Sequence, residues 1–330
     1  MLKTKDIRQT LKDIEEYLLD EYKELHEEKK RNWRTYEQQL MKRIKDAVCN
    51  LKPLVDEAVA AIHVQRGQGA MPALSLQQKV TLLLMKQLFE RSNRNMSSML
   101  VAFSLLSGID VSYKTIERLY ADSEVELALH NLHVLILKRK GIKKVRGSGD
   151  GTGYALSISK HYASEAQKRR DKAKMQPQRK KSFVYAFKML DLDSKMYVCY
   201  GMSMKSEKRA FDSAMKMLKR LDIAVESIRL DRYYSFPSYV DRFADARVYI
   251  IPRRNATVKG SWKWKRAMKR FVEDPLGCLE EYYQRNHSEN GFSVDKRWFG
   301  WKVEQRREDR IETALVCQNI WHNLFYLYKD

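Results

Sequence analysis

The sequence predicts an α-helical N-terminal region followed by an α/β region built on a five-stranded mixed sheet. Three observations predict it. Apolar residues recur at steps of three and four through much of the first 140 positions, the period of a helix face. From Val145 the pattern changes to short runs rich in Val, Tyr, Phe and Ile, separated by turn residues. Those runs read as three strands joined by hairpin-like turns, then helix, strand, helix, strand, which mixes antiparallel and parallel neighbours in one sheet.

Residues 1–70 form an N-terminal helical region. Ile7, Leu11, Ile14, Leu18, Tyr22 and Leu25 make one apolar series, and Trp33, Tyr36, Leu40, Ile44, Val48 and Leu51 a second that Pro53 is expected to break. Such a seam either packs on its own domain or joins a second copy as a coiled coil. A loop over 65–73 (QRGQGAMPA) follows, and Ser75 with Gln78 forms an S-x-x-Q capping box that opens a helix over 76–90. Beyond an SNRN turn, a helix over about 96–106, a turn at Gly108 and a short helix over 112–120 are expected. The last carries Tyr113, Lys114 and Arg118 on its polar side. Helix, glycine-containing turn and short basic helix is the layout of a helix-turn-helix, a pattern that any helical hairpin also shows. Residues 71–143 are therefore read as a helical DNA-binding region, closed by a helix over 123–140.

In the α/β region, residues 144–330, RGSGDGTGYALSIS, SFVYAFKMLDLD and KMYVCYGMSM read as the first three strands. A helix over 206–221, a fourth strand VESIRLD, a helix over 236–244 and a fifth strand RVYIIPR complete the series. Asp150 lies on the first strand and Asp231 ends the fourth. Asp191, Asp193, Asp222 and Asp241 compete for attention, but Asp191 and Asp193 flank a hairpin turn and Asp222 follows a helix end, sufficient reasons for aspartate there.

Downstream, Tyr282, Arg285, Glu289 and Lys296 stand at offsets 0, 3, 7 and 14. On one helix they share a stripe roughly 60° wide. A phenol, two cations and a carboxylate on such a stripe suit a metal ion held beside a phosphate, whereas a core-facing helix would place apolar residues there. Gly291 marks where that helix is expected to bend or break.

The spacing Y-x2-R-x3-E-x6-K resembles the signature of the YREK branch of DDE transposases of bacterial and archaeal insertion sequences. The strand order likewise resembles the ribonuclease H-like fold of that family's catalytic domain. The resemblance covers roughly residues 75–330. It implies that Asp150, Asp231 and Glu289 are the catalytic acids and bind two Mg2+ ions, with Mn2+ able to substitute, while Tyr282, Arg285 and Lys296 hold transposon-end phosphates. Three carboxylates suit Mg2+ because it is a hard ion that prefers oxygen ligands. Two such ions activate the attacking water or 3′-hydroxyl and stabilise the leaving oxygen. Metal-dependent hydrolysis at terminal inverted repeats, strand transfer into target DNA and a homodimer in the synaptic complex follow from the resemblance. One departure stands out: the family usually has a small residue two positions after the second Asp, and here it is Tyr233. A ribonuclease H-like nuclease without transposition and a catalytically silent, domesticated DNA-binding protein are the alternatives. The complete set of acids argues against silence.

Composition agrees with a nucleic-acid partner. In 330 residues, 63 Lys and Arg against 42 Asp and Glu leave a net charge of +21, which favours a polyanion. Hydrophobic residues make up 44%, enough for a globular core and too many for a disordered chain. The four cysteines, Cys49, Cys199, Cys278 and Cys317, form no C-x-x-C pair, so neither a zinc ribbon nor a disulfide framework is indicated. No apolar run is long enough to span a bilayer, and the N-terminus is charged from the start. A soluble protein is expected, cytoplasmic and nucleoid-associated if the source is prokaryotic. Two basic stretches remain. Nine Lys and Arg lie between Lys160 and Lys181, in either a solvated loop or a phosphate-contacting arm. Residues 253–270 interleave Trp262 and Trp264 with cations, as in a stacking platform for unpaired bases, or as core tryptophans on a basic segment.

Overall fold

The computed structural model describes residues 2–25, 32–63, 72–89, 96, 111–156, 183–243, 245–305 and 307–328. The expected helix over 96–106 beyond Met96, its Gly108 turn, most of the 65–73 loop and the basic stretch at 161–181 lie outside the described residues.

The first apolar series forms helices over Thr4–Asp13 and Leu19–Leu25 joined by a π turn at Ile14–Leu18, and Ile7, Leu11, Ile14 and Leu18 are buried. They pack within the chain, against helices over Trp262–Glu273 and Pro275–Tyr283, where Tyr22 meets Tyr283 with ring centroids 4.8 Å apart. The next helix runs Trp33–Ala60 and passes through Pro53 rather than ending there. Proline removes one backbone bond, but Leu51, Leu54, Val55, Ala58 and Val59 are buried on either side of it, and their packing outweighs that loss. The capping box at Ser75 forms as expected, with Ser75 N–H donating to Gln78 Oε1 at 2.8 Å, and opens the helix Leu76–Leu88. Helices Tyr113–Leu119 and Ser123–Arg139 follow. A C-terminal helix, Glu308–Leu327, is buried on nearly all sides and packs against the helices at 33–60, 76–88 and 123–139. Its Trp321 Nε1 donates to Leu84 O at 2.8 Å.

Among the described residues six strands make one sheet: β1 (Lys144–Leu156), β2 (Phe183–Asp191), β3 (Tyr197–Ser203), β4 (Ala224–Leu230), β5 (Arg247–Tyr249) and β6 (Lys302–Val303). The order is β3-β2-β1-β4-β5; β2 is antiparallel to β1 and β3, while β4 runs parallel to β1 and β5 parallel to β4. The two-residue β6, not foreseen from the sequence, pairs in parallel with β1 at Ala155 and Leu156.

Alternation along β1 separates two chemistries. Gly147, Gly149 and Gly151 face the side covered by the helix Glu207–Leu221, where Phe187, Phe211, Tyr239 and Phe243 interlock edge to face. Arg146, Ser148 and Asp150 face the opposite side, toward Gln284, Arg285 and Ser288. Gly149 answers to the aromatic side: a Cβ there would lie 2.6 Å from the Phe187 ring and 3.0 Å from Leu230. Gly201 on β3 is tighter still, because its Cβ would meet the backbone of Ala210 and Ala214. Backbone cannot rotate away as a side chain can. Gly201→Ala is therefore expected to lower stability by at least about 1 to 3 kcal/mol, the usual cost of overpacking, read as a drop in the denaturant midpoint. An unchanged midpoint would mean that helix and strand are not in this close contact.

Candidate active site

Parallel pairing brings two acids to one level. The β1–β4 ladder ends at Gly149 opposite Leu230, so Asp150 and Asp231 each come one residue later on neighbouring strands. Asp150 is 15% exposed, and its Oδ1 accepts from Gly151 N–H at 2.7 Å. Asp231 leaves the sheet as the cap of a 3-10 turn at Arg232–Tyr234, its Oδ2 accepting from Tyr233 N–H at 2.9 Å. Glu289 comes from the first turn of a helix over Asn286–Phe299 and is 51% exposed.

A single guanidinium joins the three. Arg285 Nη1 lies 3.2 Å from Asp150 Oδ2 and 2.9 Å from Glu289 Oε1, and Nη2 lies 3.6 Å from Asp231 Oδ1. The structure thus brings Asp150, Asp231, Arg285 and Glu289 together. Burial pushes the Asp150 carboxyl up to about 7, opposed by the Gly151 amide and Arg285 and reinforced by the like charges of Asp231 and Glu289. One monovalent cation leaves this cluster of acids undercompensated.

The stripe is not carried by one continuous helix. Tyr282 ends the helix Pro275–Tyr283, and the next begins at Asn286. Between them Gln284 and Arg285 keep right-handed helical angles, but Gln284 N bonds to Glu281 O, Arg285 N to Tyr282 O and Ser288 N to Arg285 O, three residues apart. This tightened turn, rather than Gly291, is the interruption. Gly291 lies inside the second helix, where a Cβ would stand 3.0 Å from the Tyr197 hydroxyl, so its role is close approach to the sheet. Tyr282 is buried, its ring centroid 5.3 Å from the Arg285 guanidinium carbon, and burial raises its phenol to about 12. Lys296 points elsewhere, over the rings of Tyr154 at 5.5 Å and Trp301 at 4.9 Å, and burial lowers its ammonium.

The remaining expected contacts divide. Lys114 and Arg118 are exposed on one side of the Tyr113–Leu119 helix. Trp262 and Trp264 lie on the helix Trp262–Glu273, not on an extended segment, and so diverge. Trp264 is 2% exposed and its Nε1 donates to Thr257 O at 2.8 Å, which makes it a core residue and removes it from the stacking platform. Trp262 is 68% exposed, with Arg266 4.8 Å over its ring. Sequence reasoning grouped Arg253 with the basic 253–270 stretch and not with the acids; it lies 4.4 Å over the ring of Phe236 and 5.7 Å over that of Tyr233, two positions after Asp231. The departure at Tyr233 was the available signal.

The donor set suits a divalent ion: three carboxylates, no thiol or imidazole, aimed at one point of positive charge. Among the described residues, however, no group of three or more His, Cys, Asp and Glu side chains is set to hold a metal as it stands. Arg285 fills the space between the acids, and an ion shared by them would take its place.

The chain is 46% identical over 284 residues to "Probable transposase for insertion sequence element ISA1214" of Archaeoglobus fulgidus, covering 86% of this chain and 84% of that protein. No family model and no solved structure matches. Among the described residues no helix is long and apolar enough to cross a membrane.

Asp150 gives a prediction in metal-free buffer. Its folded carboxyl titrates near pH 7 and its unfolded one near 3.8, so in that window the native state binds more protons and stability falls as pH rises. Asp150→Asn removes that penalty. At pH 8 the variant should be more stable than the parent by on the order of 3 kcal/mol, with the gap closing toward pH 4. A gap that does not change with pH in thermal melts would place Asp150 in a solvated environment.

Proposed function

This chain belongs to the transposases of insertion sequence elements, and we propose that it cuts DNA at its element's ends and joins them to target DNA through a DDE metal centre of Asp150, Asp231 and Glu289. The observation that carries this is the meeting of three carboxylates, from two parallel strand ends and one helix, on the guanidinium of Arg285. A ribonuclease H-like catalytic domain is the matching fold reading, supported by the β3-β2-β1-β4-β5 order with β2 alone reversed.

When bound, two Mg2+ ions, or Mn2+ in their place, would activate the attacking oxygen and neutralise the leaving one. The chain's own residues do the placing. Amides of Gly151 and Tyr233 fix one oxygen each of Asp150 and Asp231, so the two strand-end acids present a preset geometry. Glu289, more exposed, completes the set from the helix. Arg285 stands where the scissile phosphate must come, and Tyr282 backs it from the buried side. Lys114 and Arg118 lie in the helical region assigned to end binding, while Trp262 with Arg266 offers a face for an unpaired base. In this reading a homodimer holds the two ends in one synaptic complex, as the family resemblance implies.

Asp231→Asn tests the assignment with end DNA carrying the element's terminal inverted repeats. Nicking in Mg2+ should be abolished, while binding of the same DNA is retained or strengthened, because one negative charge facing phosphate is gone. Loss of both together would assign Asp231 to folding instead. Replacing Lys114 and Arg118 with Ala should weaken end binding and flatten the slope of log affinity against log salt by up to about two phosphate contacts. An unchanged slope would return that segment to an ordinary helical hairpin.

A further inference from the structure

Beside the acids lies a second set of charges that the proposed chemistry does not use. Lys188 on β2 is the antiparallel partner of Asp150 on β1, so both side chains leave the same face of the sheet as cross-strand neighbours. A lysine there would ordinarily pair with the aspartate opposite. Instead Lys188 Nζ lies 2.9 Å from Asp295 Oδ2, and both side chains are 1% exposed. Asp295 belongs to the helix that carries Glu289.

Asp295 is itself held on every side. Its Oδ2 also accepts from the Tyr197 hydroxyl at 2.9 Å, and its Oδ1 lies 2.7 Å from His322 Nδ1. The other ring nitrogen of His322 faces the Lys195 carbonyl at 2.9 Å. Lys188 is walled in by the rings of Tyr197, at 4.6 Å, and of Tyr154 and Phe292, both at 5.8 Å. A buried ion pair is costly to assemble and contributes little net stability over a packed apolar pair. Its presence next to three acids calls for another reason.

We propose that Asp295 is a positioning residue that confines the Lys188 ammonium and keeps it off Asp150, leaving the acids free for divalent metal. This rests on the metal-centre reading given above. Without Asp295, Lys188 keeps a carboxylate as its cross-strand partner on the same sheet face, Asp150. An ammonium placed there would repel an incoming Mg2+ or Mn2+ and occupy one of its ligands. The same contact fixes the Glu289 helix against β2, and the close approach at Gly291 permits it.

The experiment is Mn2+ titration by calorimetry on the full chain without DNA, beside a thermal melt of each variant. The wild type should bind Mn2+, and Asp295→Asn should bind it roughly tenfold or more weakly. The deciding variant is K188M/D295N, in which no ammonium is left to stray, and affinity should return to near the wild-type value. A purely structural role for Asp295 would leave the double variant as weak as the single one or weaker. K188M/D295L, an apolar replacement of the pair, covers the case in which Asp295→Asn fails to fold. Wild-type affinity in this variant supports confinement of the cation; lost binding in a folded K188M/D295L overturns it. Equal affinity in wild type and Asp295→Asn also overturns it, whereas no Mn2+ binding by the wild type would count against the metal centre itself.

Discussion

Three carboxylates gathered at the end of one sheet repel one another, and the surrounding structure supplies what holds them there. The parallel β1–β4 pairing fixes two of them at the same level, and the third is brought in by a helix. Arg285 lies in the tightened turn between two helices, where its guanidinium reaches Glu289 four residues on as well as the two strand-end acids. Burial holds the Asp150 carboxyl far above its ordinary range, with a smaller push from Asp231 and Glu289, and Arg285 offsets this only in part.

The sheet's two faces show how the fold supports this. One is an aromatic core in which Phe187, Phe211 and Tyr239 interlock, with the Phe187 ring lying where a Cβ on Gly149 would stand. The other is polar and crossed by side-chain hydrogen bonds. The Ser288 hydroxyl meets that of Ser148 at 2.7 Å, Arg146 reaches Gln284 at 3.2 Å, and Lys188 is locked to Asp295. A polar layer of this kind defines one register for the helix that crosses it, because any slip leaves buried groups unpaired. Apolar packing alone would tolerate such slips, and the acids could not tolerate them.

Much of this was legible in the sequence, for physical reasons that differ by element. Strands β1 to β5 and the helix at 207–221 declared themselves through period and turn chemistry, and the Ser75 cap through its i,i+3 partner. The closeness of Asp150 and Asp231 was legible because each stands at the same end of the parallel β1–β4 pairing. Pro53 misled because a proline's local penalty was outweighed by burial on both sides of it, which no local pattern reveals. The break at Gln284–Arg285 carries no glycine or proline, so only the hydrogen bonds expose it. Trp262 and Trp264 looked equivalent in sequence, and the helix separated them into one surface and one core residue. Lys188 and Asp295 are 107 residues apart, and nothing local predicts their pairing.

The central claim is that these acids are a metal centre whose place Arg285 holds. Anomalous diffraction from Mn2+-soaked crystals of the protein bound to end DNA tests it most directly. Two Mn2+ peaks, each within coordinating distance of Asp150, Asp231 or Glu289 and about 3.5 to 4 Å apart, with Arg285 turned to a phosphate oxygen, are the predicted result. Arg285 still bridging all three carboxylates, with no Mn2+ peak beside them, would contradict it.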